Sequence, residues 1–116
     1  MPPGQDALKG NMPTLVLAVL HADSLHGYAI ARAIEQRSQG VLHCKEGTLY
    51  PTLHTLEQEG LICGEWQQID SRRERKVYHI TPAGRTAFEE QRSNWIRITS
   101  AIEQVIGGLD HAAKPV

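Results

Sequence analysis

Residues 46–60, EGTLYPTLHTLEQEG, combine leucines at helical spacing with a second face of small, uncharged, hydrogen-bonding side chains. Leu49, Leu53 and Leu56 recur at i, i+4 and i+7, which predicts one buried helical face. The opposite face and its flanks carry Thr48, Tyr50, Pro51, Thr52, His54, Thr55 and Gln58. Solvated helix faces usually carry lysine and glutamate, whereas positions 48–55 have neither. Such a face can approach phosphates or base edges closely, and the helix dipole favours an anion near its N-terminus.

Pro51 lies inside this leucine pattern and bears on where the helix begins. A proline in a helix interior removes a backbone hydrogen bond and clashes with the preceding turn, at about 3 kcal/mol. In the first turn, the missing N–H would have no helical partner anyway. The pattern therefore predicts that Gly47 or Thr48 is the N-cap and that Pro51 marks the start of the helix.

A second group of residues suited to chemistry is the run RRERK at positions 72–76. The whole chain, in contrast, has a formal net charge of −1 and a pI of about 6.6. This balance argues against a protein that coats nucleic acid through bulk positive charge, so any site for a polyanion must be local. The candidates for phosphate contacts are Arg72, Arg73, Arg75 and Lys76. The alternative is a solvated charged loop.

Two helices are predicted before residue 46. The apolar run 13–21 predicts a buried helix capped by Asn11, although periodicity alone leaves a strand open. Ser24 is the predicted cap of a second helix, which Gly40 ends. Residues 1–9 are rich in proline and glycine and are predicted to be flexible.

A β-hairpin and one long helix are predicted after residue 60. The runs 61–69 and 76–80 are rich in β-forming residues and flank a polar, basic tip. Thr81 and Pro82 supply an N-cap and a first-turn proline for a helix over 82–107. Its heptad positions are occupied by Phe88, Gln91, Trp95, Ile98, Ile102, Val105 and Leu109. This seam is typical of coiled coils and predicts a homodimer, while packing on the chain's own domain is the alternative.

Three helices followed by a basic hairpin form the plan of a winged helix-turn-helix, whose third helix enters the major groove of DNA. The predicted fold is therefore mainly α with a small β-hairpin: a winged helix-turn-helix plus a long C-terminal helix. Its predicted divisions are a flexible arm (1–9), a DNA-binding domain (10–81), a dimerisation helix (82–109) and a flexible tail (110–116).

Four motifs stand in order along the chain: LKG at 8–10, HGY at 26–28, EGTLYPTLHTLEQEGLI at 46–62 and RKVYHIT at 75–81. Together they resemble the PadR family of bacterial transcriptional regulators, and the resemblance covers nearly the whole chain. It is similar to the smaller subtype, with one long C-terminal helix. The resemblance implies a homodimeric repressor whose partners are double-stranded DNA with a palindromic operator and a second copy of the chain.

The residues and the resemblance together indicate the functional positions. The predicted DNA contacts are Thr48, Tyr50, Pro51, Thr52, His54, Thr55, Arg72, Arg73, Arg75 and Lys76. The predicted dimer contacts are Phe88, Trp95, Ile98, Ile102 and Val105. The resemblance also implies that Trp95 is the candidate contact for a planar hydrophobic effector that would release the DNA. The alternative is a tryptophan that fills a gap in the core.

Two departures from the family's pattern concern the wing, which is the predicted β-hairpin of residues 61–80. Asp70-Ser71 stands where a Gly-Gly turn is usual, which puts the geometry of the turn in question. Val77-Tyr78 stands where two tyrosines are usual, and we expect this change to alter packing alone. Trp66, on an apolar strand, is predicted to lie in the core.

The sequence contains no pattern for catalysis. It has no phosphate-binding loop, paired carboxylates or H-x-x-x-H set, so we expect no enzyme activity, no cofactor and no metal. No apolar run is long enough to span a bilayer and the start lacks signal-peptide features, which predicts a cytoplasmic protein with no membrane partner. We expect Cys44 and Cys63 to be two free thiols; the alternative is that they make the protein a redox-responsive regulator.

Overall fold

The computed structural model describes the backbone of residues 5–107 and the side chains of residue 8 and of residues 10–107. Its elements, in chain order, are α1 (Gln5–Ala22), β1 (Leu25–His26), α2 (Gly27–Arg37), α3 (Glu46–Gln58), β2 (Ile62–Gln68), β3 (Glu74–Ile80) and α4 (Pro82–Ile106). Three helices, a hairpin and a long final helix follow one another as predicted. The predicted fold class is thus confirmed, with one additional short strand.

The core lies where α1 meets α2, α3 and the sheet. Leu49, Leu53 and Leu56 are at most 2% exposed, which confirms the predicted inner face of α3. They pack with the apolar residues Leu8, Met12, Val16, Leu17, Leu20, Ile30, Ile34, Ile62 and Tyr78. Burying each large apolar side chain stabilises the fold by about 1.5–3 kcal/mol. This core therefore holds α3 so that its other face points away from the domain.

The prediction that Asn11 caps the first helix is wrong, and residues 5–9 of the predicted flexible arm are helical. Helix α1 begins at Gln5, and Pro13 lies in its interior. Pro13 lacks the N–H that would bond to the carbonyl four residues back. Leu8 and Met12, on the same helix, are each about 1% exposed. Their burial offsets the lost hydrogen bond. Residues 1–4 and the predicted tail 110–116 lie outside the described residues.

The sheet has the strand order β1-β3-β2, with both pairings antiparallel. Ile62 pairs with Ile80 at the base of the hairpin, and Gln68 pairs with Glu74 near its tip. The two-residue strand β1 pairs with β3 through Leu25 and Tyr78. It was not predicted, because two residues are too few to show the alternation of a strand.

The prediction that Ser24 caps α2 is wrong, because α2 begins only at Gly27, with His26 as its N-cap residue. The Ser24 hydroxyl instead lies 2.7 Å from His79 Nδ1 on β3. The side chain thus tethers the start of β1 to the sheet. Ser38 is the C-cap residue of α2, and Gly40, with φ +81°, follows it in the left-handed region.

Helix α4 begins as the sequence indicates. The Thr81 hydroxyl accepts a hydrogen bond of 3.0 Å from the Gly84 N–H, and Pro82 occupies the first turn. Gly107, with φ +113°, caps the other end. The radius of gyration is 16.7 Å, against about 13 Å for a compact domain of this length. The C-terminal half of α4 accounts for the difference, because every residue from 100 to 107 is exposed.

Candidate nucleic-acid interface

The outward face of α3 carries the polar residues that the sequence assigned to it. Tyr50, Pro51, His54 and Thr55 are exposed, while Thr48 and Thr52 are partly buried at the edge of the face. The Thr52 hydroxyl donates to the Thr48 carbonyl at 3.2 Å and keeps its oxygen lone pairs available to an incoming donor. The face can therefore offer hydrogen-bonding groups to a nucleic acid without presenting an acidic charge.

The predicted start of α3 needs correction. The helix begins at Glu46 with Lys45 as its N-cap residue, so Pro51 lies in the second turn and not in the first. Pro51 therefore removes one interior hydrogen bond. Leu49 and Leu53, 0% and 1% exposed on either side of it, keep this stretch helical through burial. The proline contributes a rigid, donor-free patch in the middle of the outward face.

A cleft of about 460 Å³ lies between the N-terminus of α2, the helix α3 and the hairpin. Its walls are formed by His26, Gly27, Tyr28, Tyr50, Trp66, Arg75, Lys76 and Tyr78. Tyr28 and Trp66 are 60% and 66% exposed, so the prediction that Trp66 lies in the core is wrong. Trp66 shares the inward strand face with Ile62, but the hairpin has already left the core at that point. The cleft thus adds His26, Tyr28 and Trp66 to the candidate surface.

Arg75 gives this cleft a positive charge. The pKa of His26 is lowered from 6.5, first by partial burial and then by the positive charge of Arg75. Among the described side chains, no carboxylate lies within ion-pair distance of Arg72 or Arg75. These two guanidinium groups are therefore the wing's available charges for phosphates.

The tip of the hairpin is built around Asp70. One carboxylate oxygen accepts hydrogen bonds from the Arg72 and Arg73 N–H groups at 2.9 and 3.0 Å, and the other accepts one from Arg73 Nε at 2.9 Å. These donors, led by the Arg72 N–H, lower the pKa of Asp70. Aspartate thus organises the turn through its side chain, where a Gly-Gly turn would rely on its backbone freedom. The contact between Arg73 Nε and Asp70 also pairs the charge of Arg73 within the chain.

Lys76 differs from the other wing residues. Its ammonium lies 2.9 Å from Glu57 Oε1 on α3, and both side chains are 28% exposed. The hydrogen bond to Glu57 is the main cause that raises the pKa of Lys76. The ammonium also lies 5.3 Å from the centre of the Tyr78 ring. Its charge is therefore already paired within the chain, which argues against the predicted phosphate contact.

The predicted seam of α4 divides into two parts. Phe88 packs on the core and its ring centre lies 5.1 Å from that of His21, so its packing is within the chain and does not support the predicted dimer contact. Gln91 likewise accepts a hydrogen bond of 2.7 Å from Thr14. The apolar residues beyond them are exposed: Trp95, Ile96, Ile98, Ile102, Val105 and Ile106. Leu109 lies outside the described residues.

Trp95 also borders a cavity of about 350 Å³ with predominantly apolar walls. The other wall residues are Asn11, Thr14, Leu15, Ser38, Val41 and Leu42, which come from α1 and from the connection between α2 and α3. Trp95 is 48% exposed, so its indole is not a filler of the core. The cavity therefore connects α4 with the segment that leads into α3.

The two cysteines occupy different environments. Cys44 is buried, and burial is the main cause that raises the pKa of its thiol, whereas Cys63 is exposed. In the described part of the chain, no three histidine, cysteine or acidic side chains cluster as metal ligands would. No helix among the described residues combines the length and apolarity needed to cross a membrane.

These elements define a winged helix-turn-helix regulator with an added C-terminal helix. The profile of the Transcriptional regulator PadR-like family matches residues 16–90. The Transcriptional regulator Rv3488 of Mycobacterium tuberculosis is 39% identical over 100 residues, which cover 84% of this chain and 87% of that protein. The chain therefore belongs to the PadR-like family of transcriptional regulators.

Solved structures agree with this assignment. A transcriptional regulator from Clostridium thermocellum superposes with a TM-score of 0.78 at 26% identity, covering 86% of this chain and 97% of that one. Bacillus subtilis PadR in complex with operator DNA superposes with a TM-score of 0.64 at 24% identity, covering 69% of this chain and 45% of that one. The second similarity shows the shared fold.

Proposed function

We propose that the chain is a homodimeric repressor that binds a palindromic DNA operator in the cytoplasm. The observation that carries the proposal is the uncharged, exposed face of α3 beside a wing with two available arginines. In this proposal Arg72 and Arg75 neutralise phosphates, while Tyr50, His54 and Thr55, which are exposed on α3, read base edges. Bacillus subtilis PadR, which has the same fold, was solved in complex with operator DNA, and this supports DNA binding as the function.

The dimer contact is assigned to the projecting half of α4. At 100° per residue, five exposed apolar side chains fall within about 100° of one another around the helix axis. They are Trp95, Ile98, Ile102, Val105 and Ile106. A second copy would bury this stripe, and a two-fold axis would place two recognition helices on successive major grooves. A palindromic operator follows from that symmetry.

The experiment that tests this function is selection of bound duplexes from a random DNA library by the full chain. We expect an inverted repeat whose half-site centres are separated by about one helical turn, ~34–36 Å. A selected sequence without two-fold symmetry would contradict the homodimer. Failure to enrich any sequence would contradict sequence-specific binding altogether.

The second candidate function is the sensing of a planar hydrophobic effector at Trp95. The apolar cavity beside the indole favours it, because its walls include Ser38, Val41 and Leu42 in the segment before α3. A ligand there releases DNA only if it binds the DNA-free conformation more tightly. The chain has two tryptophans, so in the Trp66→Phe variant all tryptophan fluorescence comes from Trp95. Ethidium, added without DNA because it also intercalates into duplexes, should then quench its fluorescence; unchanged emission would contradict the site.

A further inference from the structure

The structure contains a connection between the recognition helix and the wing that the proposed function does not use. Glu57 lies on the last turn of α3, and Lys76 lies on β3, 19 residues further along the chain. Their ion pair of 2.9 Å joins two elements that would both have to contact DNA. Strand β1 pairs with β3 only at Val77 and Tyr78, so from Lys76 to the tip the hairpin is a two-stranded ribbon. Such a ribbon is marginally stable by itself, so its angle to the helix depends on contacts such as this ion pair.

Gly64 of β2 makes room for this connection. A β-carbon built on Gly64 would collide with Lys76 Cε and would lie 3.1 Å from Glu57 Oε2. The lysine stem therefore crosses directly over the glycine on its way to the carboxylate. Gly64 pairs with Tyr78 in the sheet, and Lys76 lies two residues before Tyr78 on β3. The lysine stem and the Tyr78 ring therefore lie side by side on the same face of the hairpin. Any larger residue at position 64 would displace the lysine.

We propose that Glu57, Lys76 and Gly64 form a helix–wing bridge that sets the wing's angle to the recognition helix and so positions Arg75 on the operator. The bridge rests on the proposed function. Lys76 is in this view a positioning residue, while Arg75 on the preceding position contacts phosphate. Both side chains are 28% exposed, so each is partly buried where the helix meets the hairpin.

The test compares Glu57→Gln, Lys76→Met and Arg75→Gln in the full chain, using the duplex selected by the wild type and poly(dI-dC) as random DNA. Loss of the bridge in Glu57→Gln should weaken binding to the selected duplex by roughly threefold to tenfold. Binding to random DNA and the salt slope should stay unchanged. Lys76→Met should behave in the same way, whereas Arg75→Gln should flatten the log–log salt slope by about 0.9.

The Glu57→Gln variant distinguishes a positioning role of the bridge from simple repulsion between the Glu57 carboxylate and DNA. If Glu57 only weakened DNA binding through its negative charge, Glu57→Gln would raise affinity for both DNAs and release Lys76 to a phosphate. That result, or a flatter salt slope in Lys76→Met, would overturn the bridge. Partial recovery of selectivity in the doubly exchanged Glu57→Lys, Lys76→Glu chain would support it, since an acid at position 76 cannot bind phosphate.

A folding control and the wild-type selection distinguish failure of the bridge from failure of the proposed function. Glutamine has nearly the shape of glutamate, and circular dichroism with thermal unfolding shows whether each variant is folded before it is assayed. If the wild type selects no duplex, the proposed function itself fails. If the wild type selects a duplex and Glu57→Gln binds it with unchanged selectivity, the bridge alone is wrong.

Discussion

The ring of Tyr50 on α3 lies directly over Gly27, the first residue of α2. A β-carbon built on Gly27 would stand 2.6 Å from Tyr50 Oη and 3.0 Å from two ring carbons. The distance to Tyr50 Oη is shorter than non-bonded atoms tolerate, and the two to ring carbons are tight, so the glycine lets the tyrosine occupy its position. The contact sets the orientation of an aromatic side chain that is 44% exposed beside the proposed DNA-reading face.

Gly27→Ala should displace the Tyr50 ring and weaken binding to the selected duplex more than it lowers stability. Overpacking costs about 1–3 kcal/mol, and the half-exposed Tyr50 ring can move aside, so the loss of unfolding free energy should stay at about 1 kcal/mol. Urea unfolding and DNA titration measure the two effects. Gly10→Ala is the matched control, because a β-carbon there meets nothing within 4 Å. A Gly27→Ala chain with wild-type affinity would contradict the role of the contact.

Ile102→Asp should convert the homodimer to a monomer and abolish tight operator binding. The side chain is 51% exposed in the middle of the apolar stripe, and an aspartate there would have to lose its hydration at the interface. Sedimentation velocity measures the assembly state. Ile96→Asp is the control, since Ile96 is 48% exposed but lies about 100° away from Trp95 around the helix. Equal effects of both substitutions would contradict the assigned stripe.

Acid should destabilise the fold in part through His26. Its pKa in the folded chain is below the ordinary 6.5 because of burial and the nearby Arg75 charge. The unfolded chain therefore binds a proton at a higher pH than the folded chain does. The resulting stabilisation is fully present above pH 6.5 and is lost as the pH falls through the lowered value.

We accordingly expect His26→Gln to lose less unfolding free energy than the wild type between about pH 7 and about pH 5. Urea unfolding at both values provides the comparison, and the remaining histidines are common to both chains. Arg75→Gln should show an intermediate change, because it removes the second cause and leaves burial in place. An identical pH dependence in wild type and His26→Gln would refute this contribution.

Alkylation with iodoacetamide should distinguish the two thiols. Burial raises the pKa of Cys44 and shields its sulfur, while Cys63 is exposed. Cys44 should react more than about tenfold more slowly, since it requires local opening of the fold. Cys63→Ser should remove the fast phase and Cys44→Ser the slow one. A fast reaction at Cys44 would favour the redox-responsive alternative.

Much of the fold followed from local patterns. The leucines of α3, the Thr81 cap and the hairpin were predictable because periodicity and capping act over a few residues. The start of α1 and of α3 was not, because each helix continues past a proline only when distant side chains bury the residues around it. Leu8 and Met12 show this for Pro13, and Leu49 and Leu53 show it for Pro51.

The candidate site was only partly visible in the sequence. The polar face of α3 and the basic run were found from residue types, whereas Tyr28 and Trp66 were not, since no local pattern shows which strand or helix lies opposite them. Lys76 was counted among the phosphate contacts because sequence distance hides its partner Glu57. Pairings across 19 residues depend on how the hairpin docks on the helix.

The amino-acid sequence by itself determined the winged-helix plan and its uncharged third helix, because spacing and residue chemistry are local properties. The tertiary structure decided which charges remain available and which side chains share the cleft. Ion pairing and burial depend on distances between separate elements, and only packing of the whole chain sets those distances.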